Sequence, residues 1–177
     1  MRVRFIAFVA PVIFCGSASA CSSPTQVSRT PAPFPVAQDL PSLVRDAPTI
    51  IVGRVTGIQA GRTAGEGEGQ FRFNDVRITV EKRLKGKVSA EVIVEQLAKA
   101  GPTVTSEVGR PYEPGQRYVL FLRPGEGVRY IASTQGRYLL RDGAVQPTEP
   151  GPVADKVKGM NEAKFIAGVE DILGRMP

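Results

Sequence analysis

The stretch Phe71-Arg72-Phe73-Asn74-Asp75-Val76-Arg77-Ile78-Thr79-Val80-Glu81-Lys82-Arg83-Leu84 sets the fold. Val76, Ile78, Val80 and Leu84 fall on one face, and Arg77, Thr79, Glu81 and Arg83 on the other. A period of two marks a strand buried on one side only. Phe71 and Phe73 stand in the opposite phase, so a bulge is expected at Asn74-Asp75.

Reading outward, Lys85-Gly86-Lys87 turns the chain into a second run, Glu91-Val92-Ile93-Val94-Glu95-Gln96-Leu97. Upstream, Thr49 to Ile58 is β-branched, with Gly53 and Gly57 marking a strand that bends. Gly61 to Gly69 reads as a Gly/Glu-rich connector between the two. A loop from Ala98 to Gly115 with three Gly and three Pro precedes Gln116 to Arg123, another apolar run. Val128–Thr134 and Gly136–Arg141 close the series, with Asp142-Gly143 as a turn. Helices bracket the strands. Asp39 to Asp46 reads as one or two turns with Pro41 early and Pro48 ending them. Phe165, Ile166, Val169, Ile172 and Leu173 form one apolar stripe on a C-terminal helix capped by Asn161. The expected fold is mainly β: a small OB-like barrel of five to six strands with a C-terminal amphipathic helix, a two-sheet sandwich being the alternative.

Upstream of this single domain (39–177) the chain changes character. Arg2 and Arg4 precede the apolar run Phe5–Phe14, and Gly16-Ser17-Ala18-Ser19-Ala20 follows. Residues 1–20 thus read as a signal peptide, too short and too Pro-interrupted for a permanent membrane helix. Ala18-Ser19-Ala20 satisfies the small-x-small rule of ordinary cleavage, while Ala18-Ser19-Ala20-Cys21 resembles a lipoprotein lipobox, with Ala18 where Leu is usual. Residues 21–38 are rich in Ser, Thr and Pro, a spacer composition. The expectation is export, with lipid attached to Cys21 and the domain tethered to a membrane facing periplasm or cell surface. A soluble secreted protein is the alternative. The cysteines are Cys15, inside the leader, and Cys21, so the processed chain forms no internal disulfide. The formal charge of +6 falls to +4 once Arg2 and Arg4 leave with the leader. That balance is mildly basic and singles out no nucleic acid.

Three segments carry a family resemblance. Val44-Arg45-Asp46-Ala47-Pro48-Thr49-Ile50-Ile51-Val52-Gly53-Arg54-Val55 resembles the helix-then-strand opening, ending in G-R-V, of bacterial domains similar to the tissue inhibitors of metalloproteinases. Ile78 to Gly86 resembles their V-x-x-x-L-K-G strand, and Pro114 to Leu122 their P-G-x-x-Y-x-x-F-L strand. The resemblance spans about residues 40–140. It implies a netrin-like OB barrel. It also implies a second function class, a metalloprotease inhibitor whose processed N-terminal Cys21 chelates the protease zinc through its free amine and carbonyl. A lipidated Cys21 has no free amine for that chemistry, and the disulfide partners that fix such a cysteine are missing here.

The chemistry-bearing residues are few. Histidine is absent, which removes Ser-His and Cys-His nucleophile pairs and the commonest zinc ligand. Glu91 and Glu95 share a strand face at about 13–14 Å, beyond the ~5–9.5 Å of glycosidase carboxylates. Glu66 and Glu68 sit among glycines in the connector, and Lys87 with Ser89 lacks visible oxyanion donors. Gly65-x-Gly67-x-Gly69 has no strand-before, helix-after setting for phosphate. No catalytic residue, metal site or cofactor is assigned. Arg72, Arg77, Lys82, Arg83, Lys85 and Lys87 crowd the central strand and its turn near Phe71 and Phe73, a candidate anion-binding set for anionic glycans or lipid head groups. The reading is a non-enzymatic binding module for an envelope protein or polymer, with the loop Ala98–Gly115 and the basic strand end as contact regions. No nucleic acid is expected as partner.

Overall fold

A computed structural model describes residues 36–66, 70–98, 110–125, 127 and 129–176. The expected signal peptide, Cys21 and the expected spacer up to residue 35 lie outside the described residues, as do most of the 98–115 loop and Glu68. Among the described residues the chain is mainly β, with six strands and three helices: α1 (Leu40–Asp46), β1 (Thr49–Ala64), β2 (Phe71–Lys85), β3 (Glu91–Leu97), β4 (Arg117–Pro124), β5 (Arg129–Arg141), β6 (Ala144–Pro147), α2 (Pro152–Val157) and α3 (Glu162–Gly174).

Helix α1 begins where its capping chemistry says it should. The Asp39 carboxylate accepts from the Ser42 backbone N–H at 2.8 Å, and Ser42 Oγ accepts from the Asp39 N–H. Those hydrogen bonds hold the Asp39 carboxyl below its ordinary range. At the other end the Lys85 ammonium donates to the Val44 and Arg45 carbonyls at 2.8 and 2.9 Å, satisfying acceptors the helix leaves open.

The strands pair in the order β3-β2-β1-β4-β5-β6, and β3 pairs in addition with β5 in parallel, Ile93–Glu95 against Arg129–Ile131. Three expectations need correction. First, β1 runs on to Ala64, so Gly61–Ala64 is strand and not connector; the outer half of β2 gives it partners as far as Ala64 opposite Phe71. Second, no bulge falls at Asn74-Asp75. Those residues pair in unbroken register with Gln96 and Glu95 on one side and with Ala60 and Gln59 on the other. The irregularity lies across the ladder, between Ala60 and Thr63, where a Cβ on Gly61 would stand 2.6 Å from Asp75 Oδ1. Asp75 is buried there, on the outer face that Phe71 and Phe73 also share. Third, the two runs expected on either side of Gln135 are one strand, from Arg129 to Arg141. Gln135, with φ of 60°, interrupts its register against β4 between Leu120 and Leu122. Its side chain is buried, donates to the Ala37 carbonyl and accepts from the Val153 N–H, so it ties the start of the domain to α2.

Two apolar clusters form the core. One holds Ile51, Val76, Ile78, Val94, Tyr118, Leu120 and Leu122. The other holds Val44, Ile50, Phe121, Tyr138, Val153, Phe165 and Val169, under the helices. Strand β4 is buried on both faces from Tyr118 to Leu122 because it lies between them. Helix α3 is capped by Asn161 as expected and presents Phe165 and Val169 inward. The short edge strand β6 ends in Pro147, and Val145 exchanges backbone hydrogen bonds with Gly159 and Met160, so that edge is closed to further pairing.

The Tyr138 hydroxyl is fully buried without a hydrogen-bond partner, and burial pushes its phenol up. Tyr138→Phe is therefore expected to stabilise the domain, by about 1 kcal/mol, because it removes an uncompensated desolvation cost. Urea unfolding with an unchanged m-value measures this, and a loss of stability would show the hydroxyl is bonded after all.

Candidate functional site

The six basic residues of the central strand do not share one surface. Lys85 is drawn onto α1, and burial lowers its ammonium from the ordinary range. Lys82 pairs with Glu170 of α3 at 2.8 Å, and Arg77 stands 3.7 Å from Glu91 on β3. Arg72, Arg83 and Lys87 are exposed and make no ion pair among the described residues, with Arg72 at the far end of the strand from the other two. The paired carboxylates also separate. Glu91 faces Arg77, while Glu95 is buried and held bidentately by Arg62 at 2.7 and 3.3 Å, the guanidinium lying 4.5 Å from the Phe73 ring.

A second set of ions fastens α3. Glu81 accepts from Arg54 at 3.0 Å and from Arg117 at 2.7 Å, and Arg117 reaches on to Glu162 at 2.9 and 3.2 Å. Each hydrogen bond to Glu81 and Glu162 raises the Arg117 guanidinium further above its ordinary range. These half-exposed pairs act as directional fasteners.

A concave feature lies elsewhere, between β6, the turn that follows it and α2. It is an open groove of about 660 Å³, with Arg110, Gln146, Thr148, Glu149, Asp155 and Lys158 around it and Pro147 and Pro150 in its lining. Its wall is built from inside the domain. Arg137 is 5% exposed; its Nε donates to Thr148 Oγ1 at 2.9 Å and its Nη2 to Glu149 at 2.8 Å. Thr148 Oγ1 in turn donates to the Arg137 carbonyl at 2.9 Å. The guanidinium also stacks 4.6 Å from the Tyr112 ring, which meets Tyr118 edge-on at 5.1 Å. Tyr112 is buried, and burial pushes its phenol up. The Tyr112 N–H donates to Gln96 Oε1 and Gln96 Nε2 to the Arg110 carbonyl, which lays Arg110 beside the groove.

Glu149 is thus committed to Arg137. Arg110, Asp155 and Lys158, which line the groove, make no ion pair among the described residues. The sequence marks the loop carrying Arg110 as a contact region but gives no sign of β6, α2 or the buried Arg137. Alternation along Gly136–Arg141 gives Arg137 no mark that separates it from an ordinary solvent-facing arginine.

Among the described residues no group of three or more His, Cys, Asp or Glu side chains could hold a metal ion. No described helix is long and apolar enough to cross a membrane.

No protein-family model matches the chain, and no curated protein matches it. The site therefore rests on its own geometry.

Proposed function

We propose that the chain is an exported, lipid-anchored, non-enzymatic binding module of the cell envelope, and that its ligand is an extended polypeptide segment of a partner protein lying in the β6–α2 groove. The scaffold in this reading is an OB-like barrel. Its support is the pairing cycle: β1 with β2 and β4, β2 with β3, and β5 with β4 and, in parallel, with β3. The groove carries the function. Its wall is immobilised by the Arg137–Thr148–Glu149 bonds, so little ordering remains to be done on binding. Its proline-containing lining suits an extended chain, while Arg110, Lys158 and Asp155 supply charges of both signs to fix register.

A photo-crosslinking residue in place of Gln146, in the full chain in its native envelope, tests the reading. The expected result is one discrete protein adduct, reduced about tenfold or more by Arg110→Glu with Lys158→Glu, since reversing rim charges repels a matched partner. A polysaccharide adduct would move the ligand to the glycan class. The same ladder of products from a crosslinker at Lys164, on the outside of α3, would sink the groove as a site.

A further inference from the structure

We infer that the pole of the domain where the chain enters is a docking face for an anionic bilayer. The inference rests on the lipid-anchor reading, since it names what that anchor holds against the membrane.

Four observations converge on this pole. The end of β2 folds over the end of α1 through the Lys85 bonds to the Val44 and Arg45 carbonyls, and Gly86 lies so close to Pro48 that a Cβ would stand 2.6 Å from its carbonyl oxygen. That brings Arg45, Arg83 and Lys87 to one end of the molecule, with Arg83 opposite Ile51 near the start of β1. All three are exposed; Arg45 has only a solvent-facing contact with Asp46 at 3.5 Å, its side chain 68% exposed. Arg123 lines a small cleft at the same end, together with Asp46, Pro48 and Ala37. Ala37 belongs to the segment through which the chain enters from Cys21, and Val36 beside it is a large apolar residue left exposed, at 49%.

The chain length fits. Fourteen residues lie between Cys21 and Val36, a reach of at most about 50 Å when fully extended. A cysteine anchored in the bilayer therefore holds the domain within reach of the head groups, where the charge of this pole selects the face that meets them. Each Lys or Arg near an anionic surface strengthens partition about fivefold, within a Debye length. Three cations with an exposed valine make a weak face on their own and an effective one when tethered.

The test uses the processed chain purified from its host as the Cys21→Ser variant, which cannot be lipidated. Cosedimentation is measured with vesicles of 30% phosphatidylglycerol in phosphatidylcholine and of phosphatidylcholine alone. Binding is expected on the anionic vesicles only, lost in 0.5 M salt, and weakened about a hundredfold by Arg45→Glu, Arg83→Glu and Lys87→Glu together. A triple reversal of equal charge elsewhere, at Arg72, Lys164 and Arg175, should weaken it far less. Equal loss in the two triples, equal binding to neutral vesicles, or no binding at all overturns the inference. Mass spectrometry of the native N-terminal peptide separates the two readings. Unmodified Cys21 overturns the anchor without altering the vesicle result, whereas acylated Cys21 with no vesicle binding overturns the docking face alone.

Discussion

Phe165→Ala is expected to lower the unfolding free energy by about 3–5 kcal/mol, the cost of an aromatic-to-alanine cavity in a core that cannot collapse. Phe165 sits in the first turn of α3, is fully buried and meets the Tyr138 ring at 5.1 Å; Tyr138 in turn meets Phe121 at 5.7 Å. That aromatic chain joins α3 to β5 and β4. Beside Phe165 and Val169, the polar fasteners of the helix are half-exposed ion pairs, Arg117–Glu162 and Lys82–Glu170, each worth roughly 0–1 kcal/mol. They cannot replace the ring. Residues 39–177 hold no cysteine, so the domain has no internal disulfide to draw on, and a stability of about 5–15 kcal/mol leaves little margin. Denaturant unfolding should show an early midpoint, with Glu170→Ala as a control losing less than about 1 kcal/mol. A loss under about 1 kcal/mol for Phe165→Ala would show that α3 is not part of the cooperative core.

What could be read from the chain follows the range of the interactions involved. Local chemistry was legible: Asp39 and Asn161 as helix caps, Asp142-Gly143 as a turn with both residues at positive φ, the two-residue period of Val76–Val80, and the stripe of α3. Long-range pairing was not. The end of β1 is strand because Phe71 and Arg72 stand opposite Ala64 and Thr63, a fact no local propensity contains. The break in β5 is held by Gln135 reaching Ala37 and Val153, far away in sequence. The candidate sites divide in the same way. Alternation put Arg77 and Arg83 on an outer face, yet it could not show that Glu91 and Glu170 stand across from Arg77 and Lys82, or that Lys85 serves α1. Short elements such as β6 and α2, bordered by Pro147, Pro150 and Pro152, carry too few residues for a period to register.

Glu149→Ala is the second large effect, because Arg137 is left charged inside the domain. The Arg137 side chain is 5% exposed and that of Glu149 24%, and 2.8 Å separates them. Removing one partner of a buried pair costs about 3–5 kcal/mol when both are fully enclosed. The exposure of Glu149 lets water reach the guanidinium, so about 2–3 kcal/mol is expected here. The double variant Arg137→Met with Glu149→Ala removes the stranded charge and keeps the apolar stem over Tyr112, so it should recover much of the loss. A cycle of the two single variants and the double variant reads the coupling directly. The same substitution tests the groove. Without Glu149 the turn from Thr148 to Gly151 loses the bond that fixes its outer end, while the bond from Arg137 Nε to Thr148 Oγ1 remains. Crosslinking from Gln146 should then fall below what the stability loss explains, because a loosened wall must be ordered again when a partner binds. Tyr138→Phe added to Glu149→Ala restores part of the stability from the far side of β5. If it also restored the crosslink, the groove would depend on global folding alone; a crosslink that stays weak places the defect in the wall that Arg137 holds.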